Sequence, residues 1–375
     1  MQKEIGFSNI VERNKDVEHI VHAACQYGHH GLGEKNFKKL FSMLVSTDLH
    51  ECPNQLQSAI EYLNANDALD CGICLGDLQA RNYVETDGAW YFSEVKKAKK
   101  EFYTVLGNHD VGNSKDVAIA GTSQMAFEKF VLPCAEQIGL KDLKTPYYLK
   151  TFDTYKIALI VLNNYEAELM GEDGNYLCSR GMEAYSQTQI DWLITILKEI
   201  PQGYHLIVAA HSFPYASKSK ENAFTQLGAH IPDEKMVYGN DNLVSDIIDA
   251  WINGGALNKE YPPLASDLFP VLKADCDFSR RGKGEFVCYL TGHVHKDIIA
   301  NCEKYPNQTI VCLASSANDD WQNHNCDLAR AEGTKAEDVL TAFSVHTEKR
   351  QIRLVRIGCN VTMDLRDRTY TVIDY

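Results

Sequence analysis

The sequence predicts an α/β fold built on an open sheet whose loops converge at one edge. Three observations predict it. Apolar runs rich in β-formers recur at residues 40–47, 71–75, 102–106, 206–210 and 286–291. Each is followed at once by metal-type ligands: Asp48-Leu49-His50, Gly76-Asp77, Gly107-Asn108-His109-Asp110, His211 and Gly292-His293-Val294-His295. Segments of helical periodicity lie between several of the runs. In an open α/β sheet, ligands bind beyond the carboxyl ends of the strands, so the five loops can meet at one place.

In chain order, residues 1–39 read as an N-terminal extension, with a helix expected near 15–26 and a Gly/His loop after it. The first clear strand ends at Asp48. Residues 53–64 place Leu56, Ile60 and Leu63 on one helical face. The second strand leads to Asp77. Residues 89–100 are expected to be helical, with a basic end that suits the negative pole of the helix dipole. The third strand leads to Gly107-Asn108-His109. Residues 147–150 and 156–162 flank a turn and read as a hairpin. Residues 186–200 read as a helix with an apolar stripe of Ile190, Leu193, Ile194 and Leu197, stopped by Pro201. The strand into His211 follows. Residues 213–284 are too many for a plain loop. They contain an expected helix at 243–252 and read as a cap-like insertion overhanging the site. C-terminal strands occupy 340–375, including a hairpin of 342–347 with 351–357. One catalytic domain then spans 40–375.

Composition narrows the classes. The 375 residues are 45% hydrophobic and 23% charged, ordinary globular usage with length for a sizeable core. Net charge is -14. A nucleic-acid binder usually shows a basic face, so an extended nucleic-acid partner is disfavoured. No segment reaches the roughly 18 apolar residues of a membrane span. Residues 1–9 lack the basic-then-apolar layout of a signal peptide. Twelve cysteines without framework spacing fit reduced thiols. The chain is therefore expected in the cytoplasm, away from membranes, and the sequons at Asn307 and Asn360 carry no meaning there.

The donors suit a pair of hard-to-borderline divalent metals. A phosphate ester resists hydrolysis because its anionic oxygens repel an anionic nucleophile. Two metals about 3.5–4 Å apart neutralise those oxygens and lower the pKa of a bridging water. One carboxylate must bridge such a pair, and Asp77 is the candidate. Asp48 and His50 lie two apart, as do His293 and His295. At a strand exit such residues share a face, so Asp48 and His50 can both reach one ion. Asn108 adds a neutral amide oxygen. His109 follows it directly and is expected to point elsewhere, toward the leaving group. Singly these fragments are commonplace; all five in order at strand ends are not.

The five motifs resemble those of the calcineurin-like metallophosphoesterase family, whose pattern is Asp-x-His, Gly-Asp, Gly-Asn-His-Asp/Glu, a lone His and Gly-His-x-His. The match runs from about residue 40 to about 295. The resemblance implies a four-layer αββα sandwich of two mixed β-sheets flanked by helices. It implies a dinuclear centre of Mn, Fe or Zn ions, with Asp48, His50 and His295 on one metal, Asn108, His211 and His293 on the other, and Asp77 bridging. It makes His109 the general acid, or the electrostatic partner of the leaving oxygen. The segment Gln189-Ile190-Asp191-Trp192-Leu193 resembles a helix often seen before the lone-His strand. The implied function is hydrolysis of a small phosphodiester or phosphomonoester by metal-bridging hydroxide. A nuclease and a non-catalytic binding module are the alternatives. The acidic balance disfavours the first, and the complete ligand set disfavours the second. Oligomeric state is left open.

There are departures from the pattern. The protein Ser/Thr phosphatase branch has an Asp three residues after the Gly-Asp carboxylate, where this chain has Ala80. That argues against a protein phosphatase and leaves open what orients His109. Arg81 matches a phosphate-binding Arg of that branch. The Gly that often follows Asp-x-His is Glu51, expected to face solvent.

Several other features are weighed on residue type. Cys71 and Cys74 lie inside an apolar strand and read as buried structural thiols. His29 and His30 read as a solvated loop. Arg280, Arg281 and Lys283 form a basic cluster in an acidic chain, either an exposed turn or a contact to substrate phosphate through Arg280 and Arg281. Tyr215, Phe224, Tyr238 and Trp251 are expected to pack rather than to stack on a base.

Overall fold

Two six-stranded mixed sheets face each other in the computed structural model, which describes residues 40–79, 88–111, 123–166, 182–212, 237–238, 242–263, 270–302, 304–317, 338–358 and 370–375. The first sheet has the order β16 (Tyr370–Asp374), β15 (Gln351–Gly358), β14 (Val339–His346), β1 (Leu40–Ser46), β2 (Cys71–Cys74), β3 (Phe102–Thr104). Its β1, β2 and β3 are parallel, and β14 to β16 add an antiparallel meander. The second has the order β12 (Ile298–Cys302), β13 (Tyr305–Cys312), β11 (Glu285–Thr291), β7 (His205–Ala209), β5 (Ile157–Val161), β4 (Tyr148–Phe152). Its central strands β13, β11, β7 and β5 are parallel, with antiparallel β12 and β4 at the edges. Two ribbons stand apart: β6 (Met182–Glu183) with β8 (Val237–Tyr238), and β9 (Ala256–Tyr261) with β10 (Leu272–Asp277).

The layering follows from side-chain alternation. Successive residues of a strand face opposite sides. In β5, Ile157, Leu159 and Val161 join the core between the sheets, while Ala158 and Ile160 join the core on the outer side. In β7, Ile207 and Ala209 face inward, and Leu206 and Val208 outward. Both faces are apolar because both are covered, as parallel strands require.

Helices close the two outer faces. α1 (Pro53–Ala65) begins with Pro at its first turn and buries Leu56, Ile60 and Leu63 against the first sheet, beside α2 (Ala89–Val95). α3 (Gln187–Glu199) is capped by Ser186, whose hydroxyl accepts from the Gln189 amide. It buries Ile190, Leu193 and Leu197 completely. α4 (Leu243–Asn253) ends at Gly254, which takes a φ of 63°. The architecture is the four-layer αββα sandwich.

Three local outcomes differ from the sequence reading. α2 stops at Val95 because the next amides bond three residues back, Lys97 to Glu94 and Ala98 to Val95. The segment 96–100 is then tied to the first helix's exit by Lys100, whose ammonium donates to the Asn66 and Leu69 carbonyls. Both ribbons are structure that the sequence patterns do not mark, while β12, β13 and β16 fall among the strands expected after residue 293 without bounds of their own.

The third difference is the insertion. Residues 242–263 and 270–277 of it pack on the outer side of the second sheet. α4 lies in the outer helix layer, with Val244, Ile247, Ile248 and Trp251 buried against the second sheet. The β9–β10 ribbon packs on α3 and α4. The segment 213–236 lies outside the described residues, as do Tyr215, Phe224 and the side chain of Tyr238, the expected helix at 15–26, and His29 and His30. Among the described residues, no helix is long and apolar enough to cross a membrane. Cys71 and Cys74 are fully buried, and burial pushes both thiols up.

Trp251 anchors the outer layer. It is fully buried, and its indole N–H donates to the Leu197 carbonyl at 2.9 Å, tying α4 to α3. Trp251→Ala should lower the unfolding free energy by about 3–5 kcal/mol, read from the denaturant midpoint. A loss below about 1 kcal/mol would show that this layer contributes little to stability.

Candidate metal centre

Five strands end at one edge of the sandwich, and their exits bring the predicted residues together. β1 leads to Asp48 and His50, β2 to Asp77, β3 to Asn108 and His109, β7 to His211, and β11 to His293 and His295. Asp48 and His211 are fully buried, and Asp77 is 1% exposed. The chain reaches this arrangement through strained backbone. Asp48, His50, Asp77, His293 and His295 all have φ between 45° and 70°, a region that non-glycine residues avoid.

Two donor groups form, and Asp77 belongs to both. Asp48, His50, Asp77 and His295 place donor atoms within 4.8 Å of one another, and so do Asp77, His211 and His293. In the first group, His295 Nε2 lies 3.2 Å from Asp48 Oδ1 and 3.1 Å from His50 Nε2. In the second, His211 Nε2 lies 3.2 Å from both Asp77 Oδ2 and Asn108 Oδ1. His293 presents its Nδ1 to the same Asn108 oxygen at 3.0 Å.

Backbone carbonyls set the imidazole tautomers. His211 Nδ1 donates to the Leu75 carbonyl at 2.7 Å, and His50 Nδ1 donates to the Gln79 carbonyl at 3.1 Å. A carbonyl only accepts, so each Nδ1 carries a proton and each Nε2 is the atom turned to the centre, the usual preparation of a histidine ligand. His109 is placed differently. Its backbone amide donates to Asp77 Oδ1 at 2.8 Å, and its Nε2 lies 3.7 Å from Asp77 Oδ2. Its ring stands edge-on to His50, outside both donor groups.

The electrostatics demand cationic charge. Burial would raise the Asp48 carboxyl, but His295 and His211 outweigh it and hold it below the usual range. Burial acts the same way on Asp77, and His109, His211 and His50 hold that group well below the range too. In return, against burial, Asp77 and Asp48 raise His211 to about 10, and Asp48 raises His295. Burial and the charge of His211 push His293 down to about 3. Buried oxygen and imidazole donors around two carboxylates are the donor set of a borderline divalent metal, so these residues fit one.

Asp110 has a structural part that its sequence position hides. Its carboxylate accepts from the amides of Leu78 and Gln79 and, through the other oxygen, from that of Gly107. It therefore locks the Asp77 loop to the Asn108 loop and is engaged away from His109. Burial and the nearby Asp77 push it up to about 7. Glu51 is exposed, as expected. Arg81 and Ala80 lie outside the described residues.

The basic cluster is corrected. Arg281 donates from Nε to the Ile200 carbonyl at 3.0 Å and stacks on Trp251 at 4.5 Å, so it caps the end of α3. It precedes the start of β11, whereas His293 follows its end. Seven residues at about 3.3 Å each put the two edges on the order of 20 Å apart. Arg281 and its exposed neighbour Arg280 stand at the far edge and do not meet a substrate phosphate at the metal centre.

The chain belongs to the calcineurin-like phosphoesterase family, whose model matches residues 41–297. Solved structures that it resembles include an uncharacterized Streptococcus pneumoniae TIGR4 protein described as a predicted phosphoesterase. That match has 7% identity and a TM-score of 0.33, and covers 90% of this chain and 98% of that one. A 5'-nucleotidase precursor from Thermus thermophilus matches at 9% identity with a TM-score of 0.35, over 82% of this chain and 51% of that one. A protein serine/threonine phosphatase from Saccharomyces cerevisiae matches at 10% identity with a TM-score of 0.27, over 96% and 90%. No curated protein matches.

Two glycines are required here. A side chain on Gly76, at φ 99°, would put its Cβ 2.7 Å from His211 Nδ1. A Cβ on Gly107 would collide with the carboxylate and amide of Asp77. Gly107→Ala should therefore displace Asp77 and weaken metal binding roughly tenfold to a hundredfold, the usual effect of disturbing a ligand's support. Isothermal titration with Mn²⁺ or Zn²⁺ reads it, and unchanged affinity would contradict this placement of Asp77.

Proposed function

We propose that the chain is a metal-dependent hydrolase of a small phosphate ester, diester or monoester. Asp48, His50 and His295 would hold one ion, Asn108, His211 and His293 would hold a second, and Asp77 would serve both. The observation that carries this reading is the sharing of Asp77 between two donor groups. When bound, two ions would supply positive charge for the phosphoryl oxygens and acidify a water molecule.

The chain's own residues do the rest. Asp48 and Asp77 stay anionic at neutral pH, which makes them permanent donors. The carbonyls of Leu75 and Gln79 hold His211 and His50 in the donating orientation. His109, beside Asp77 but outside both groups, is the residue left to hand a proton to the leaving oxygen. A small ester is favoured over nucleic acid by the net charge of -14. A reducing, cytoplasmic setting would suit the buried thiols of Cys71, Cys74, Cys288 and Cys312.

Elemental analysis after metal loading should give two ions per chain, and Asp77→Asn should impair both sites together because both use that carboxylate. Retention of two ions and full activity in Asp77→Asn would refute the shared ligand. His109→Ala should lower turnover roughly 10²–10⁴-fold, the range of a positioned acid or base, with metal content unchanged. The loss should shrink for esters with a nitrophenol leaving group, which need little protonation. An equal loss for good and poor leaving groups would remove His109 from that role.

A further inference from the structure

Behind the metal centre, the chain leaving β13 forms a strap over residues 314–317. The Ser316 amide donates to the Thr47 carbonyl at 2.8 Å, and the Ser316 hydroxyl donates to the Val339 carbonyl at 2.8 Å. That hydroxyl also accepts from the Thr47 amide at 3.3 Å. The Ser315 hydroxyl and the Ala317 amide both donate to the Asp48 carbonyl, at 2.9 and 3.1 Å. On the other side, the Ala314 amide donates to Asp297 Oδ1 at 2.9 Å. Asp297 lies two residues beyond His295, and its second oxygen pairs with the guanidinium of Arg356.

The strap therefore joins two loops that come from different sheets. Asp48 follows β1 of the first sheet, and His295 and Asp297 follow β11 of the second. Arg356, on β15, stands in register with Thr341, and Thr341 with Val45, at the end of β1 that leads to the site. Asp297 and Arg356 are 2% and 5% exposed. A buried pair of this kind is strongly disturbed when one partner is removed. Asp48, His50 and His295 hold left-handed backbone conformations, which persist only where the surroundings over-determine them.

Two donors of the other half are braced separately, while the third, His293, rests its amide on Asp48. Asn108 sits on the Gly107–Asp110 turn, and His211 is held by Leu75. We propose that residues 314–317 and the Asp297–Arg356 pair position the Asp48–His50–His295 half of the centre and leave the Asn108–His211 half to its own braces. The inference rests on reading those residues as metal donors. It makes the chain beyond residue 297, where the family match ends, a working part of one metal site.

The test is a Mn²⁺ titration of the full chain, with free Mn²⁺ followed by electron paramagnetic resonance. Wild type is compared with Ser315→Ala, Arg356→Met, Arg356→Lys and, at the far edge, Arg350→Met, which breaks the Arg350–Glu285 pair. Ser315→Ala and Arg356→Met should weaken one of two ions by about tenfold to a hundredfold, and the other by less than about threefold. Arg356→Lys should recover most of the loss, and Arg350→Met should change neither ion. If Arg356→Met does not fold, Ser315→Ala decides, since it removes one hydroxyl. Two ions in wild type, weakened equally or not at all by Ser315→Ala, would overturn the brace alone. Fewer than two ions in wild type would overturn the dinuclear reading and the brace with it.

Discussion

Two carboxylates, Asp48 and Asp77, are buried side by side where two sheets meet, and most of the surrounding structure answers to that burial. A buried anion is costly unless it is paired and hydrogen-bonded. Here imidazoles from four loops, two on each sheet, supply the partners. Neither sheet alone can do so. Asp77, on the first sheet, meets His211 from the second. Asp48, also on the first, receives the His293 amide and His295 from the second. The site is thus also a seam, and the charge of its donors is part of what registers one sheet against the other.

That demand explains the strained backbone. An extended exit would send Asp48 and His50, or His293 and His295, along one face of the sheet, so carrying them past its edge into the centre takes another backbone conformation. Left-handed turns at these residues do it, at about 1–3 kcal/mol each. Ordinary burial in the sandwich offsets the strain. Covering both faces of the second sheet leaves its central strands with hardly any exposed apolar atoms. Local hydrogen bonds hold what remains. Asp110 closes one turn, and residues 314–317 close another across the seam.

Legibility followed physical range. The five ligand clusters and their strands could be read because each is local, an apolar run ending in a donor at a fixed spacing. α1 and α3 were legible because periodicity, capping by Ser186 and the stop at Pro201 act within a few residues. The grouping of the donors came from family resemblance, and the geometry places the same residues together. The bounds of β12 and the β9–β10 ribbon were not legible, since short runs such as 298–302 have little pattern of their own. Ser315, Ser316, Asp297 and Arg356 gave a faint signal at best. A Ser-Ser pair after an apolar strand and an Arg within a strand are ordinary until their distant partners are known.

Arg281 shows why charge contrast misleads. In a chain of net charge -14, a basic run beside a site strand invites a phosphate. Yet a strand has two ends, and only the carboxyl end faces the ligands. Residues before β11 arrive at the opposite edge, where the last carbonyls of α3 have no partner within their own helix. A guanidinium satisfies the carbonyls at that exit and stacks on Trp251, which is the favourable cation at a helix C-terminus. The same rule places Arg356 correctly. β15 runs antiparallel to β14, and β14 antiparallel to β1, so a residue late in β15 returns to the edge where β1 ends. Distance in sequence from the motifs says little about the part a charged residue takes; the direction of its strand and the end at which it sits decide whether it reaches the metal centre.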